Sequence, residues 1–137
     1  MKLRGFQLAN VDLEVGEEVY DLHNNFDSRG FNYEIDNREL TLRWVCGTGD
    51  WVPKDSPSEI IISVRGVSYL AASPRDPDLP YSEDDCLDCV LFVEPTQATD
   101  ECFITAAPVT PELHYVFQFM SGFMLRVQAD EALCKIG

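Results

Sequence analysis

"LHYVFQFMSGFMLRVQA", residues 113–129, is the stretch of sequence that decides the fold. Its apolar side chains recur at every second position before the central Ser-Gly pair and again after it. A period of two predicts β-strands with one buried face, because successive residues of a strand point to opposite sides. Two such runs around a glycine-bearing turn predict a β-hairpin.

The length of the hairpin loop sets which residues lie opposite one another. A three-residue loop over 120–122 pairs Phe119 with Phe123 and keeps the apolar residues of both arms on one face. It also places Gly122 where such loops need a left-handed residue. A two-residue loop over 121–122 would pair odd positions with even ones and split the apolar face. We therefore predict the three-residue loop.

A second hairpin is predicted in "FNYEIDNRELTLRWV", residues 31–45. A two-residue loop at Asp36 and Asn37 pairs Tyr33 with Leu40, and both side chains of the loop tolerate the positive φ that it demands. This register puts two apolar rows on one face: Phe31, Tyr33 and Ile35 on the first arm, and Leu40, Leu42 and Trp44 on the second.

In "EIIISVRGVSYLAA", residues 59–72, the apolar alternation changes phase at Gly66. Apolar residues occupy even positions before this glycine and odd positions after it. A β-bulge at Gly66 would restore one continuous buried face, and glycine inside a strand often marks a bulge. The alternative is a tight bend between two sheets.

The remaining segments give weaker patterns. Residues 3–13 are expected to hold a strand, and residues 17–26 fit a short helix about as well as a strand. Residues 73–85 are rich in proline and predict a long loop. "CFITAA" at 102–107 predicts a short strand, and "ADEALCKI" at the end of the chain could form one helical turn.

These patterns together predict a mainly β fold. We expect residues 1–137 to form a single all-β domain, an antiparallel sandwich or partly open barrel of about eight strands, with at most one or two short helices. A length of 137 residues is typical of one domain. Apolar residues make up 45% of the chain and charged residues 25%, as in globular proteins.

The net charge of −14 restricts the class of partner. It argues against binding to nucleic acid or to an anionic membrane surface, which attract Lys and Arg. The first fifteen residues lack the apolar core of a signal peptide, and no apolar run is long enough to span a membrane. We therefore expect a cytoplasmic protein, in which the five cysteines are reduced thiols.

Two of those cysteines lie in "YSEDDCLDCV", residues 81–90. We expect a strand here that places Cys86 and Cys89 on opposite faces, where they cannot bind one zinc ion. A redox pair would need a helix N-terminus, whereas the neighbouring carboxylates disfavour a thiolate. The predicted faces are Leu87, Cys89, Leu91 and Val93 on one side, and Cys86, Asp88, Val90, Phe92 and Glu94 on the other. This objection weakens if Cys86 lies at the end of the loop instead.

No other motif predicts a chemical site. The acidic loop does not match the EF-hand pattern, so a solvated loop is favoured over a calcium site. His23 and His114 have no nucleophile near them in sequence, and the chain contains neither G-x-S-x-G nor H-E-x-x-H. We therefore predict no catalytic residue, no metal ligand and no cofactor.

The placement of charge is the most informative feature for function. Residues 76–125 contain ten acidic residues and no Lys or Arg, and ten of the fourteen excess negative charges fall in residues 76–137. If these acids share one face, they attract cationic partners, and exposed aromatic residues beside them would act as anchors. The predicted interaction surface comprises Asp76, Asp78, Glu83, Asp84, Asp85, Asp88, Trp51 and Tyr81. The alternative is that the acids are spread around the domain.

We predict a non-catalytic acidic binding module or inhibitor that covers a basic protein partner. Small bacterial immunity proteins that neutralise cationic nucleases work by this physics, although the comparison rests on charge and size and on no shared motif. The alternative is a small-ligand-binding or enzymatic β-domain with a pocket around His114, Tyr115 and Arg126. A self-assembling homo-oligomer with an exposed edge strand is the third hypothesis.

Overall fold

The computed structural model describes residues 1–103 and 109–137, and the predicted mainly β class is confirmed. Within these two ranges the only helical elements are the short 3₁₀ turns Tyr81–Asp85 and Thr99–Glu101, and no helix is long or apolar enough to cross a membrane. The described residues form twelve strands: β1 (Lys2–Arg4), β2 (Gln7–Ala9), β3 (Asp12–Val15), β4 (Glu18–Asp21), β5 (Phe26–Glu34), β6 (Glu39–Cys46), β7 (Glu59–Arg65), β8 (Tyr69–Ser73), β9 (Leu87–Val93), β10 (His114–Phe119), β11 (Met124–Gln128) and β12 (Glu131–Ile136).

The strands form three open sheets. The largest has the order β1-β12-β7-β6-β5, the second β8-β11-β10-β9, and the third, a small meander, β2-β3-β4. All pairings are antiparallel except that of β1 with β12. The architecture agrees with the predicted sandwich or partly open barrel. The strands outnumber the expected eight because the N-terminal part of the chain is cut into several strands of three or four residues.

The main core lies between the two larger sheets. Alternate residues of β6 and β7 are fully buried on one side, and they meet the inward residues of β10 and β11. The rings of Trp44 and Phe117, one from each sheet, have centroids 6.3 Å apart. Burying each large apolar side chain stabilises the fold by roughly 1.5–3 kcal/mol, so these two faces hold the sheets together.

The hairpin of β10 and β11 has the predicted register. Phe117 lies opposite Leu125, and the N–H of Phe119 donates to the carbonyl of Phe123 at 2.9 Å. Gly122 has a φ of +83° and occupies the left-handed position of the three-residue loop. The local turn chemistry and the apolar pattern therefore specify the same pairing.

The hairpin of β5 and β6 also has the predicted register, with Tyr33 opposite Leu40. The predicted two-residue loop is wrong: the turn covers residues 35–38, and its positive φ, +49°, falls on Arg38 and not on Asp36 or Asn37. The first arm of the hairpin is less buried than the second, because β5 is the last strand of its sheet. The side chain of Phe31 is 44% exposed, and that of Ile35, in the turn, is 78% exposed. One extra residue in β5 between Ser28 and Phe31 forms a bulge that the sequence did not predict.

At Gly66 the chain bends from one sheet to the other, so the alternative interpretation of its phase change is the correct one and the expected bulge is wrong. β7 pairs with β6 and β12, whereas β8 pairs with β11 of the second sheet. Gly66 has a φ of +70°, a conformation that glycine adopts at no steric cost. The expected change of buried face does not occur: Leu70 lies opposite Val127 and packs on the core, whereas the ring of Tyr69 lies on the outer side, 4.7 Å from the guanidinium carbon of Arg126.

The weaker segments have mixed outcomes. Residues 17–26 contain strand β4 and a turn after it, and no helix. The expected helical turn at the end of the chain is wrong: β12 is a strand that bonds to a neighbour on each side, and these two ladders outweigh a weak helix propensity. Of the loop predicted at 73–85, residues 74–80 connect β8 to the 3₁₀ turn, and Tyr81–Asp85 form that turn. Of the strand expected at 102–107, Phe103 bridges to Phe92, and residues 104–107 lie outside the described residues.

Candidate interaction surface

Cys86 and Cys89 lie in different surroundings, but they do not lie in one strand with side chains on opposite faces, as was predicted. Cys86 ends the 3₁₀ turn and precedes β9, so it is not part of the strand. The pairing of β9 with β10 shifts by one residue near Asp88, which places Leu87 in the main core and not on the face of Cys89. Cys89 packs on the outer side of the sheet with Leu91, Val93 and Val116.

The structure brings Cys86 against His23, a contact between residues 63 positions apart that no sequence pattern indicated. Sγ of Cys86 lies 3.5 Å from Nδ1 of His23. The same nitrogen lies 2.6 Å from the carbonyl oxygen of Leu87, so it carries a proton and donates it to that oxygen. Burial and the negative charges of Glu83 and Asp85 raise the pKa of the Cys86 thiol. This pair therefore lacks the free base and the stabilised thiolate that nucleophilic catalysis needs.

Arg75 organises the proline-rich loop and neutralises one of its acids. Its Nε atom lies 2.8 Å from Oδ1 of Asp84, and its guanidinium also donates to the carbonyls of Asp76, Leu79 and Pro80. The bond from Arg75 lowers the pKa of Asp84. The guanidinium carbon lies 4.7 Å from the centre of the Tyr81 ring, a cation–π distance.

Four further carboxylates meet around Cys86. Asp85 has a raised pKa, first because it is partly buried and second because of the charge of Asp27 on β5. The charges of Glu83, Asp85, Asp27 and Asp88 all act on the Cys86 thiol and raise its pKa. Asp27 precedes this part of the chain by more than fifty residues, and no pattern in the sequence indicated its position here. Together with the loop acids Asp76, Asp78 and Asp84, these four carboxylates make up what we call the acidic surface: Asp27, Asp76, Asp78, Glu83, Asp84, Asp85 and Asp88.

The remaining acids of this set are held by local bonds. Asp76 accepts the N–H of Asp78 on its carboxylate at 2.9 Å, and its own N–H donates to the carbonyl of Ser121 at 2.7 Å. Asp88 accepts from the side-chain amide of Gln118 at 2.8 Å. The positive charge of Arg29, on β5, acts on Asp85 and offsets part of the negative charge.

The two aromatic side chains predicted as anchors, Tyr81 and Trp51, are exposed and have fixed positions. Tyr81 is 83% exposed and is held under Arg75. Trp51 is 72% exposed, and its indole N–H donates to the carbonyl of Asn24 at 2.8 Å. Asn24 follows His23, which contacts Cys86, so the turn at 22–25 connects Trp51 to the 3₁₀ turn.

An apolar cleft of about 240 Å³ opens between β5 and the tip of the β10–β11 hairpin. The rings of Phe31 and Phe123 stack across it, with centroids 6.2 Å apart and an angle of 12° between planes. The ion pair of Arg75 and Asp84 lines one side of the cleft, so it adjoins the acidic surface. The lining residues are Ser28, Gly30, Phe31, Leu42, Arg75, Asp84, Phe119 and Phe123.

The polar groups expected to form a pocket around His114 and Arg126 are used within the fold instead. Arg126 is 3% exposed, and its Nε–H donates to Nδ1 of His114 at 2.9 Å. Its other N–H groups donate to the carbonyls of Glu94, Pro95 and Gln97 and to the hydroxyl of Thr99. Burial and the charge of Arg126 lower the pKa of His114. Arg126 therefore anchors the loop at 94–99 to the outer side of the sheet.

Over residues 1–103 and 109–137, no three His, Cys, Asp or Glu side chains are arranged to hold a metal ion. Searches of protein-family models, of curated proteins and of solved structures find no match to this chain. Its function is therefore argued from the acidic surface and the cleft.

Proposed function

We propose that this chain is a non-catalytic acidic binding module, of the inhibitor type, that covers a basic protein partner. One observation carries the proposal: carboxylates from two distant segments, Asp27 on β5 and the residues around the 3₁₀ turn, act on the same half-buried thiol, that of Cys86. Clustered charge of one sign steers an oppositely charged protein during association and suppresses the wrong partners.

The exposed aromatic residues support a binding role. Aromatic side chains concentrate at the energetic centres of interfaces, and anchors that are already ordered lose less entropy on binding. Tyr81 and Trp51 are exposed, yet each is fixed by a contact to Arg75 or to Asn24. Free thiols at all five cysteines favour a reducing compartment, and we place the module in the cytoplasm on this ground.

Native mass spectrometry of the protein purified gently from its own cells would test this proposal. We expect a complex with a basic chain that dissociates as salt rises, because exposed charge pairs are screened at high ionic strength. The double variant Glu83→Lys with Asp85→Lys should slow association with that chain, whereas the matched reversal Glu14→Lys with Glu18→Lys on the small meander should not. A wild-type protein that carries no basic chain, or a complex indifferent to both salt and the first variant, would contradict the proposal.

The apolar cleft favours a second candidate function, the binding of a small apolar ligand. Its phenylalanine lining resembles that of small-molecule sites, and its volume of about 240 Å³ lies just below their usual range of about 300–1,000 Å³. An adduct of a small molecule on the protein isolated from its own cells would support this function. The described residues offer this cleft no nucleophile paired with a base, so binding is favoured over catalysis.

A further inference from the structure

We propose that the free edge of β5 and the apolar cleft beside it form one docking subsite for an extended segment of the basic partner. This segment adds to β5 as a strand, inserts one large apolar side chain into the cleft, and places Lys or Arg on either side of it. The inference rests on the proposed function and specifies how the partner is held.

β5 offers an unpaired strand edge. Among the described residues it is the last strand of its sheet and pairs only with β6. The N–H of Cys46 donates to the carbonyl of Ser58 beside β7, and the N–H of Gly47 donates to the carbonyl of Asn25 beside β5, so even-numbered residues of β6 bond to β7 and odd-numbered ones bond to β5. Asn32 and Glu34, which lie opposite Thr41 and Glu39, therefore bond to β6. The backbone groups of Phe31 and Tyr33 point away from β6, and no backbone group in residues 1–103 and 109–137 bonds to them from the open side. Such an edge is a template for strand addition.

The cleft opens at the same edge. Phe31 lies opposite Leu42 in the ladder, so its side chain is on the core side of the sheet, yet it is 44% exposed. Across the opening it meets Phe123 from the second sheet. The bulge at Ser28 and Gly30 puts two residues with little or no side chain in the wall, which leaves room for a side chain from outside.

The charge around this edge selects the flanking residues of the guest. Asp84 lines the cleft, and Asp27 precedes the bulge on β5. The charge of Asp27 contributes to raising the pKa of Asp85, after burial. Glu34 lies at the far end of the same strand. Arg75, the cation in the cleft wall, is already bonded to Asp84 and to three carbonyls. A segment with alternating basic and apolar residues would therefore match the subsite in charge and in pattern.

The probe for the test is a seven-residue peptide with the sequence Lys-Val-Lys-Leu-Lys-Val-Lys. A control peptide has the same sequence with alternate amides N-methylated, which keeps its charge and side chains but blocks strand pairing. Binding to the full chain would be followed by NMR titration of backbone amides at moderate salt. We expect shifts at residues 31–34 and at the cleft, and at least about tenfold weaker binding of the control peptide.

Two variants test the two halves of the subsite. Phe31→Ala removes the exposed wall of the cleft, and Tyr33→Pro, compared with Tyr33→Ala, removes an outward N–H at a position where an edge strand tolerates proline. Each should weaken peptide binding at least about tenfold, since both act at the centre of the contact. Ile35→Ala is the matched control: it shortens an apolar side chain of the same hairpin that does not line the cleft, and it should change binding less than about twofold.

Peptide binding that is unchanged in Phe31→Ala and in Tyr33→Pro would overturn this inference. So would a basic partner that binds both variants as tightly as the wild type but is weakened by Glu83→Lys with Asp85→Lys, and in that case the proposed function would stand. If neither the cleft and edge variants nor the charge-reversal variant weakens binding of the partner, the inference and the proposed function are both overturned. Indole that saturates the cleft without displacing the bound peptide would assign the cleft to a small ligand and also overturn the inference.

Discussion

The guanidinium of Arg75 donates to the carboxylate of Asp84 at 2.8 Å, and this pair closes the loop between β8 and the 3₁₀ turn. The three carbonyl oxygens that the same guanidinium binds belong to that loop. Arg75 immediately precedes a long acidic stretch, and within the described ranges its guanidinium bonds only to groups of its own loop and of the 3₁₀ turn that follows. The excess negative charge of the neighbouring carboxylates is left for solvent or for a partner.

Arg75→Ala should destabilise the protein by about 1–3 kcal/mol, because it leaves several polar groups of the loop without partners. Urea unfolding measures this change. Arg43→Ala is the control, since Arg43 pairs with Glu59 on an exposed strand surface and its loss should cost under about 1 kcal/mol. Equal costs for the two variants would mean that Arg75 does not organise the loop.

Asp84 and Asp85 are adjacent, and their amide variants should change stability in opposite directions. The pKa of Asp84 is lowered by the bond from Arg75, so its ionised form stabilises the fold above its unfolded pKa of about 3.9. That stabilisation is lost as pH falls through the lowered pKa. Asp84→Asn should therefore reduce the free energy of unfolding at pH 7 and have little effect in acid.

The pKa of Asp85 is raised by burial and then by Asp27, so the folded protein binds this proton more tightly than the unfolded chain does. Its ionised form is a cost at neutral pH, and stability from this group rises as pH falls through the raised pKa. Asp85→Asn should add up to about 0.5 kcal/mol at pH 7 and nothing below about pH 4. Urea unfolding at both pH values checks the pair; a shift of the same sign for both variants at pH 7 would contradict it.

His114 should make the protein less stable in mild acid. Burial and Arg126 lower its pKa, so the folded state binds fewer protons than the unfolded chain once pH falls below about 6.5. Stability from this group is complete above that value and declines below it. His114→Asn keeps an acceptor for Arg126 but cannot gain a proton, and it should flatten the fall in Tm between pH 7 and pH 5. Parallel Tm curves for variant and wild type would show that another group is responsible.

Gly66→Ala should cost more than Gly16→Ala, although both glycines have positive φ. The left-handed conformation alone costs an L-residue about 1–2 kcal/mol. At Gly16 an added Cβ meets nothing within 4 Å, whereas at Gly66 it overlaps the side chain of Asp130. The difference between the two free energies of unfolding isolates that overlap. A difference of zero would mean that Asp130 rotates away freely.

The two long hairpins could be predicted from the sequence because their pairing depends on nearby residues. In each, the alternation of apolar side chains favours the observed register, as in the pairs Phe117 with Leu125 and Tyr33 with Leu40. The turn chemistry was predicted correctly only at Gly122, because in the β5–β6 turn the positive φ falls on Arg38. The phase change at Gly66 was also visible, but a bulge and a bend give the same pattern. Only the pairing of β8 with a different sheet distinguishes them.

The candidate site could be predicted only in part, because it joins segments that are distant in the chain. The acids of the loop were visible as a run, but the approach of Asp27 to Asp85 and of His23 to Cys86 depends on how the sheets are arranged. The cleft has the same origin, since Phe31 and Phe123 come from different sheets. The last strand was mistaken for a helical turn because its Ala, Glu, Leu and Lys favour helices when no neighbouring strand is considered.

The parallel pairing of β1 with β12 has a consequence for the time course of folding. Arg4 bonds to Glu131, 127 residues later in the chain. During synthesis β1 has no strand to pair with until nearly all of the intervening sequence has been made. The side of β7 that pairs with β12 is likewise unpaired until β12 is synthesised. Contacts this distant along the chain close slowly, because loop-closure entropy must be overcome before they form. The largest sheet is therefore completed last, and nascent chains pass through a stage in which its central strand is an edge.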